Sequence, residues 1–253
     1  MKRIFITGST DGLGRAAAET LIDQGHAVLL HARSPERAAE IDDLVARSAG
    51  VVSGDLSRLE EVYDIADEIN SLVRPDVIIH NAGVLSLPDR APTPEGHATL
   101  MAVNLLAPYI LTARIQRPKR LIYLSSSMQA GGPDQLDDLD WQKRAWNTTE
   151  AYSESKHYLA ALALAVNERW SDVASHAVDP GWIATKMGGA SAPGDLQSGQ
   201  RTQVWLATQD DPAIQTGGYW RDCQRQNPPA MAADHDFQSR LLDTLAELTG
   251  ERL

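Results

Sequence analysis

Short, continuous apolar runs alternate along the chain with longer stretches in which apolar positions recur at helical spacing. Continuous runs are typical of strands that are covered on both faces, because a strand with one wet face alternates polar and apolar residues. We therefore predict buried strands at 3–7, 27–31, 51–53, 76–80, 120–125 and 174–178, with a shorter run at 218–220.

The periodic stretches between these runs predict helices at 13–24, 35–47, 57–72, 95–114, 150–170, 198–207 and 236–248. Gly25 suits the end of the first helix, and Ser34 with Pro35 suits the start of the second. Strands and helices that alternate in this way form parallel strands joined by right-handed crossovers. The pattern predicts one α/β domain over residues 1–253, with a Rossmann-type, doubly wound parallel sheet of about seven strands.

Two segments break this alternation. Residues 130–149 form a polar, acidic insert that carries Trp141 and Trp146, and residues 187–200 are rich in small side chains. Loops of the second kind often close over a site, so we predict that 187–200 is a mobile loop. The alternative is an ordinary surface loop.

The charge balance and the cysteine count exclude several classes of function. With 34 acidic and 23 basic residues, the net charge is −11, which disfavours binding to nucleic acid or anionic membranes by bulk charge. The single cysteine, Cys223, excludes an internal disulfide and paired-cysteine zinc sites, and the histidines are scattered, so we expect no metal. The lack of a targeting segment or an apolar span favours a cytoplasmic protein.

A glycine-rich segment follows the first predicted strand and opens the first helix. Gly8 permits a tight turn, Gly12 lets the backbone approach a pyrophosphate, and Gly14 lets helix and strand pack closely. The N–H groups at the helix N-terminus then face the phosphates. The segment predicts a dinucleotide site whose contacts are Gly8, Ser9, Thr10, Gly12, Leu13 and Gly14.

The end of the second strand indicates which dinucleotide binds. A site for NAD places an acidic residue about 20 residues beyond the glycines. Here Arg33 lies 19 positions beyond Gly14 (33 − 14), and the strand has no acidic residue. A guanidinium suits a 2′-phosphate, so we predict NADP(H) in preference to NAD(H), the alternative being a solvated arginine at a strand end.

A tyrosine and a lysine share one face of the predicted helix at 150–170. Tyr152 and Lys156 are four residues apart, which places them one turn from each other. A tyrosine acts as a general acid when its pKa falls toward neutrality, and a neighbouring ammonium favours the phenolate. The pair is weak evidence alone, since an exposed Tyr/Lys stripe has the same spacing.

Polar or small residues follow several predicted strands, at the sheet edge where ligands bind in open parallel sheets. Besides the glycine-rich turn, these are Ser125–Ser127, Asp55 with Leu56, Asn81 with Ala82 and Gly83, and Asp179 with Pro180 and Gly181. We expect a long cofactor and a substrate to occupy this edge together.

These motifs in combination resemble the short-chain dehydrogenase/reductase family over nearly the whole chain. Thr7–Gly14 matches its TGxxxGxG turn, and His80–Gly83 is similar to its NNAG motif with the first asparagine replaced. The other matches are the helix asparagine at Asn104, the catalytic serine at Ser126 with Ser127 as a less favoured alternative, YxxxK at Tyr152 and Lys156, and PG…T at Pro180, Gly181 and Thr185.

The resemblance implies hydride transfer between NADP(H) and a ketone, aldehyde or secondary alcohol. Tyr152 would exchange a proton with the substrate oxygen, Ser126 would position that oxygen, and Lys156 would lower the tyrosine pKa and hold the nicotinamide ribose. Asn104 would support a water-linked proton relay. The implied cofactor contacts beyond the glycine-rich turn are Arg33, Asp55, Leu56, Asn81, Ala82, Gly83, Tyr152, Lys156, Pro180, Gly181, Ile183 and Thr185.

The chain departs from common family members between Ser126 and Tyr152, which are 26 residues apart (152 − 126). In this insert it looks like the retinol-dehydrogenase-like subgroup and bacterial ketoreductase relatives. The insert would shape the substrate mouth, with Trp141 and Trp146 as walls. Alternatively, both tryptophans pack the insert onto the domain.

The helix of Tyr152 is apolar on two sides, whereas a surface helix needs one apolar stripe. The second stripe, at Ala161, Leu164 and Ala165, is expected to bury either in a homo-oligomer, dimer or tetramer, or under the insert. Two rival functions remain: a non-catalytic dinucleotide-binding sensor or scaffold, and an epimerase or dehydratase of the extended branch. The latter usually has TGxxGxxG spacing and a longer C-terminal region.

Overall fold

The fold is a single sheet with helices on both faces. A computed structural model of the protein describes residues 1–129 and 134–253, and within them eight strands pair in the order β3-β2-β1-β4-β5-β6-β7-β8. The strands are β1 Arg3–Ile6, β2 Ala27–Ala32, β3 Gly50–Ser53, β4 Val77–His80, β5 Arg120–Leu124, β6 Ala174–Val178, β7 Gly218–Arg221 and β8 Gln224–Gln226.

The direction of strand order changes beside β1. Strands β2 and β3 lie on one side of it, and β4 to β7 follow on the other, all parallel. The register pairs Ile6 of β1 with Ile79 of β4, so the residues that follow these strands emerge side by side. Such a reversal opens a crevice at the carboxyl edge, which is where doubly wound folds bind ligands. The predicted fold class is confirmed.

The eighth strand was absent from the sequence-based prediction of about seven. β8 runs antiparallel to β7 and is joined to it by Asp222 and Cys223, whose φ angles are +51° and +59°. Two left-handed residues make the tight hairpin turn that antiparallel neighbours favour. The three residues of β8 are polar and exposed, so no apolar run marked the strand.

The helices follow the predicted order, with two changes in continuity. They are α1 Gly12–Asp23, α2 Pro35–Ala39, α3 Asp42–Val45, α4 Leu59–Leu72, α5 Thr99–Met101, α6 Ala107–Arg114, α7 Thr148–Arg169, α8 Leu196–Thr208 and α9 His235–Thr249. The predicted helix at 35–47 is two short helices. The one predicted at 95–114 begins at Thr99 and contains a π-helical segment, Ala102–Leu106, between α5 and α6.

Pro108 explains the break in the second of these helices. A proline has no N–H to donate to the carbonyl four residues earlier, and its ring crowds that carbonyl. The carbonyl in question belongs to Asn104, which lies within the π-helical segment. The proline thus explains why the helix is locally wider at Asn104, the asparagine that matches the family motif.

Two apolar layers hold the helices against the sheet. Side chains alternate in direction along a strand, so Phe5 joins one layer while Ile4 and Ile6 join the other. Helix α7 lies in the larger layer and is buried along most of its length. This rigid helix carries Tyr152 and Lys156 to the carboxyl edge of the sheet.

The second apolar stripe of α7 is covered within the chain. Phe237 of α9 contacts the rings of His157 and Tyr158, with centroids 5.9 and 5.7 Å apart. The same apolar cluster contains Ala161 and Ala165 of α7, and Leu164 packs partly buried against it. The C-terminal helix is thus a third explanation for the stripe, beside the oligomer and the insert. The stripe does not require a partner chain.

The insert is tied to α7 by a buried polar network. Trp141 is 3% exposed, and its indole N–H donates to Glu154 of α7 at 3.1 Å. Arg144 stacks on the Trp141 ring at 3.9 Å and pairs with Glu154 and Asp138. Trp146 is half-buried and donates to the carbonyl of Leu87 at 3.2 Å. Residues 130–133 of the predicted insert lie outside the described residues.

Candidate active site

Four strand ends meet at the carboxyl edge of the sheet. The amide of Thr7, just after β1, donates to Ile79 of β4 at 3.0 Å, and the amide of Ser125, just after β5, donates to Val178 of β6 at 2.8 Å. These ladder bonds continue past the strands and fix the spacing of the loops that follow. The loops that follow the four strands therefore lie next to one another, as the sequence predicts. They are the glycine-rich turn, 81–83, 125–127 and 179–181.

Tyr152 and Ser126 meet across this edge. Tyr152 lies in the second turn of α7, whose first turn is capped by Asn147 through bonds to the amides of Thr149 and Glu150. The side chain of Ser126 lies close enough to the Tyr152 hydroxyl to lower the pKa of the tyrosine, which is only 7% exposed. Ser127 is exposed, so the geometry favours Ser126 over this alternative.

Lys156 lies one turn further along α7 and is buried beneath Tyr152. Its Nζ is 5.7 Å from the centroid of the Tyr152 ring and donates to the carbonyl of Leu124 at 2.7 Å. A Cβ added to Gly83 would come within 3.2 Å of this Nζ. The glycine therefore keeps open the space in front of the ammonium.

The pKa values at this site are set mainly by burial. Burial raises the pKa of Tyr152 and the Asp179 carboxylate adds to the increase, while the hydrogen bond from Ser126 opposes it. Burial also lowers the pKa of Lys156 to about 8. In the protein without a cofactor, the pKa of Tyr152 is therefore raised, because the loss of hydration is the largest effect, and the role of Lys156 in lowering it stays a prediction.

Replacing Lys156 by methionine is expected to stabilise the fold. The drop in pKa from 10.5 to about 8 corresponds to about 3 kcal/mol of destabilisation while the lysine is charged. Because the unfolded chain binds more protons between these values, wild-type stability should rise with pH across that window. The gain of Lys156→Met should therefore be largest below pH 8 and disappear above about pH 10.5.

Urea denaturation at about pH 7 and about pH 10 would measure this difference. Lys119→Met is the matched control, since Lys119 is exposed and should give no comparable gain. A Lys156→Met protein that is less stable than wild type near neutral pH would contradict the burial argument.

Asn104 connects the π-helical segment to the site. Its side-chain oxygen accepts from the amide of Val84 at 2.8 Å, and its side-chain nitrogen donates to the Val84 carbonyl and to the Ser155 hydroxyl, each at 3.0 Å. The side chain is fully buried and fully engaged. Its backbone carbonyl, to which Pro108 cannot donate, lies within the π-helical segment.

The glycine-rich turn is built so that its backbone lies close to the loop after β4. Gly8 has φ +62°, and a Cβ there would come within 3.0 Å of the Ala82 Cβ. A Cβ on Gly14 would overlap the Gly8 carbonyl oxygen and the Asn81 side-chain nitrogen. That nitrogen donates to the carbonyls of Thr7 and Gly8 at 3.0 and 3.2 Å. The turn leaves no room for larger residues at these positions.

A buried histidine supports the turn from below. The Gly8 amide donates to Nδ1 of His31 at 2.9 Å, so the Nε2 proton of the ring faces the Gly54 carbonyl at 3.0 Å. Burial lowers the pKa of His31 to about 4, which keeps the ring neutral. Ser9 is also buried, and its hydroxyl bonds to backbone atoms of Ile6 and His31. Its side chain therefore supports the turn and does not face the open edge.

The adenosine end of the predicted site carries one unengaged cation. Arg33 is exposed just past β2 and forms no ion pair within 1–129 and 134–253. The carboxylate of Asp55 accepts from the amide and hydroxyl of Ser57 at 2.9 and 2.8 Å, while Leu56 is buried in the core. Arg33 and Asp55 lie at the ends of neighbouring strands, as predicted.

The loop after β6 lies against the glycine-rich turn. A Cβ on Gly12 would come within 3.7 Å of Thr185, and Lys186 pairs with Asp11, the residue that caps α1. Ile183 is buried, and the hydroxyl of Thr185 accepts from the amide of Gly188 at 3.0 Å. Pro180 and Gly181 are half-buried between β6 and this loop. The last part of the segment predicted as a loop at 187–200 is helical, because α8 begins at Leu196.

Sequence comparison places the chain among dinucleotide-binding enzymes. A family model described as the NAD dependent epimerase/dehydratase family matches residues 4–176. A protein named short-chain dehydrogenase chry4, from Gibberella zeae, is 39% identical over 257 residues, with 100% of this chain and 99% of that protein covered. The chain belongs to the short-chain dehydrogenase/reductase family. It is an oxidoreductase of this family.

Other relatives match the predicted subgroup. A Streptomyces protein with the provisional name daunorubicin C-13 ketoreductase DnrU is 30% identical, with 99% of this chain and 93% of that protein covered. Human retinol dehydrogenase 13 is 27% identical, with 98% and 85% covered. The predicted resemblance to retinol dehydrogenases and ketoreductases is confirmed.

Solved structures share the fold of this reductase-family chain. A crystal structure of an uncharacterised protein from Mycobacterium paratuberculosis has a TM-score of 0.85 at 25% identity, and the match covers 100% of this chain and 94% of that one. A short-chain dehydrogenase from Sphingobium yanoikuyae in complex with NADPH has a TM-score of 0.64 at 20% identity, with 81% and 83% covered. In the described residues, no helix is long and apolar enough to cross a membrane.

The sequence alone did not reveal four residues that organise the site. Thr7 accepts from the amides of Asn81 and Ala82 through its hydroxyl, each at 3.0 Å, and Ser155 accepts from Asn104. His31 supports the glycine-rich turn, and Lys186 reaches Asp11. Two of the four carried a signal in the sequence that could have identified them. Thr7 belongs to the TGxxxGxG motif, and His31 lies in an otherwise apolar strand.

Proposed function

We propose that this protein is an NADP(H)-dependent oxidoreductase that interconverts a carbonyl compound and a secondary or primary alcohol. The observation that carries the proposal is the placement of Tyr152 beside Ser126 and one helical turn from a buried Lys156, at the sheet edge formed with the glycine-rich turn. Relatives named as a ketoreductase and a retinol dehydrogenase support the choice of a C=O or CH–OH substrate.

The residues at this edge fit a dinucleotide. Gly8, Gly14 and Gly83 keep the backbone free of side chains where a Cβ would collide or crowd Lys156. The side-chain oxygen of Asn81 is buried with no partner, so it can accept a hydrogen bond from a bound group. The N-terminus of α1 directs its N–H groups toward the place where a pyrophosphate would bind.

The bound cofactor would supply or accept the hydride, and the chain would supply orientation and proton transfer. Ser126 holds the substrate oxygen beside the Tyr152 hydroxyl. During reduction, Tyr152 donates its proton to that oxygen as the carbon–oxygen double bond becomes a single bond. During oxidation, Tyr152 must first lose its proton, and its phenolate oxygen then takes the proton from the alcohol.

Reprotonation of Tyr152 would run through Lys156 and Asn104. The raised pKa of Tyr152 keeps the hydroxyl protonated and ready to donate. The backbone carbonyl of Asn104, which Pro108 cannot bond, can accept a hydrogen bond from a water. A water held there and by Lys156 can pass a proton from solvent toward Tyr152 after reduction, and from Tyr152 to solvent before oxidation. Lys156 would also be the residue that holds the cofactor ribose.

A panel of ketones, aldehydes and alcohols, followed by the absorbance of NADPH, tests the proposal. Apolar polycyclic and short aliphatic compounds belong side by side in the panel. We expect turnover with at least one carbonyl compound or alcohol. NADPH binding without turnover across the whole panel would instead favour a sensor or scaffold.

The 2′-phosphate preference depends on Arg33. We expect Arg33→Ala to weaken NADPH binding by about tenfold to a hundredfold, because a charge-assisted bidentate contact is lost, and to change NADH binding much less. Fluorescence titration of both cofactors measures the difference. Arg47→Ala, which removes another half-exposed arginine outside the site, is the control. Equal losses of affinity for NADPH and NADH would contradict the assignment.

A further inference from the structure

Large apolar side chains are exposed mainly in two segments of the chain that adjoin the candidate active site. Within the described parts of the chain, six such side chains are exposed: Met1, Leu72, Met128, Trp182, Met187 and Leu196. Four of the six, from Met128 to Leu196, belong to the segments that follow β5 and β6. The same two segments begin with Ser125 and Asp179, and the first of them includes Ser126. Exposed apolar surface is thus concentrated at one edge of the sheet.

Two of these side chains are placed close to the proposed chemistry. The amide of Met128 donates to the Ser126 hydroxyl at 3.2 Å, so Met128 lies two residues beyond the serine that faces Tyr152. Trp182 comes two residues after Pro180, and its indole N–H donates to the Gly188 carbonyl at 2.8 Å. Its own carbonyl accepts from the amide of Gly194 at 3.1 Å. These bonds hold the indole in place although it is 58% exposed.

The charged groups near these loops are already paired. Lys186 pairs with Asp11, and Arg221 pairs with Asp179 at 3.2 Å. An acidic group bound against these two loops would have to break one of these pairs to reach Lys186 or Arg221. An uncharged substrate would lose nothing, and its apolar surface would leave water against the exposed side chains.

We propose that Met128, Trp182, Met187 and Leu196, called here the apolar rim, select substrates whose carbonyl is attached to a large, uncharged, ring-containing body. The proposal rests on the proposed function, since it assigns the substrate class of the same site. The reacting carbonyl lies at Ser126 and Tyr152, while the rings lie against the apolar rim. Small or charged carbonyl compounds would contact Ser126 and Tyr152 but would not contact the apolar rim.

Two methyl ketones that differ only in their apolar body test this proposal. Acetonaphthone carries a fused aromatic ring system, and butanone carries an ethyl group. We expect Trp182→Ala and Met187→Ala each to lower the ratio of kcat/KM for acetonaphthone to that for butanone by about tenfold, the effect of losing one buried apolar contact. Leu72→Ala removes an equally exposed leucine on α4 and should leave the ratio unchanged.

Two further measurements separate contact from folding. Trp182→Phe keeps an apolar ring but loses the N–H bond to Gly188, so it should retain most of the ratio. Thermal melting and NADPH titration of each variant identify any variant that fails to fold. If Trp182→Ala fails to fold, the ratio measured for Met187→Ala tests the proposal, because the Met187 side chain has no hydrogen bond to lose. An unchanged ratio of kcat/KM values in Trp182→Ala and Met187→Ala would overturn the proposal. If the sedimentation coefficient of these variants also differed from that of wild type, the apolar rim would instead be a protein-docking surface.

The failure of this proposal can be distinguished from that of the proposed function. If wild type reduces butanone with NADPH and the rim variants keep the ratio, only the substrate class is wrong. If wild type turns over neither ketone nor any other member of the panel, the oxidoreductase assignment of the site is wrong as well.

Discussion

Replacement of Tyr152 by phenylalanine is expected to lower turnover by at least about a thousandfold while leaving NADPH affinity within about twofold of wild type. The substitution removes only the hydroxyl that lies beside Ser126 and would exchange a proton with the substrate. The aromatic ring remains, and the residue is only 7% exposed, so the buried ring should keep its packing in the phenylalanine variant. Steady-state kinetics and fluorescence titration measure the two quantities separately.

The neighbouring serines provide a matched pair of controls. Ser126→Ala removes the partner of the Tyr152 hydroxyl and should lower turnover by about tenfold to a thousandfold. Ser127→Ala makes the same change one residue away, where the side chain is exposed, and should have little effect. Full activity of Tyr152→Phe, or a larger loss in Ser127→Ala than in Ser126→Ala, would contradict the assigned roles.

Gly14→Ala is expected to abolish cofactor binding and to destabilise the fold by about 3 kcal/mol or more. The added methyl group would overlap the Gly8 carbonyl oxygen and the Asn81 side chain, so the turn or the loop after β4 must move. Either movement disturbs the backbone that would hold the pyrophosphate. NADPH titration and urea denaturation measure both effects.

Gly25→Ala is the control on the same helix. Gly25 follows α1 with φ +81°, and a Cβ there would meet nothing within 4 Å. It should cost only about 1 kcal/mol, from the left-handed backbone, with NADPH binding unchanged. If Gly14→Ala behaved like Gly25→Ala in both assays, the close approach of the turn to Asn81 would have no functional meaning.

The sequence predicts the sheet and the spacing of the site well, because both rest on strong local signals. Continuous apolar runs mark strands β1 to β7, and the order of strands and helices fixes their parallel arrangement. The glycine-rich turn and the Tyr152–Lys156 pair are local motifs on those elements. Parallel strands then bring distant residues such as Ser126 and Tyr152 to the same edge.

The features that the sequence missed depend on contacts distant in the chain or on weak local signals. The polar strand β8 pairs through backbone alone, and the cover of α7 by α9 comes from residues about 80 positions away in the chain. The pKa of Tyr152 depends on how deeply its hydroxyl is buried, which no spacing reveals. The π-helical segment was also missed, although a local signal for it exists in the sequence, namely Pro108.

The transfer of a labelled hydride tests the central claim most directly. NADPH that carries deuterium at the transferable position should give an alcohol with deuterium on the former carbonyl carbon when wild-type protein reduces a ketone. Tyr152→Phe should give almost none in the same time, although it binds the cofactor. A product without deuterium at that carbon, or label transfer by Tyr152→Phe at the wild-type rate, would contradict the account.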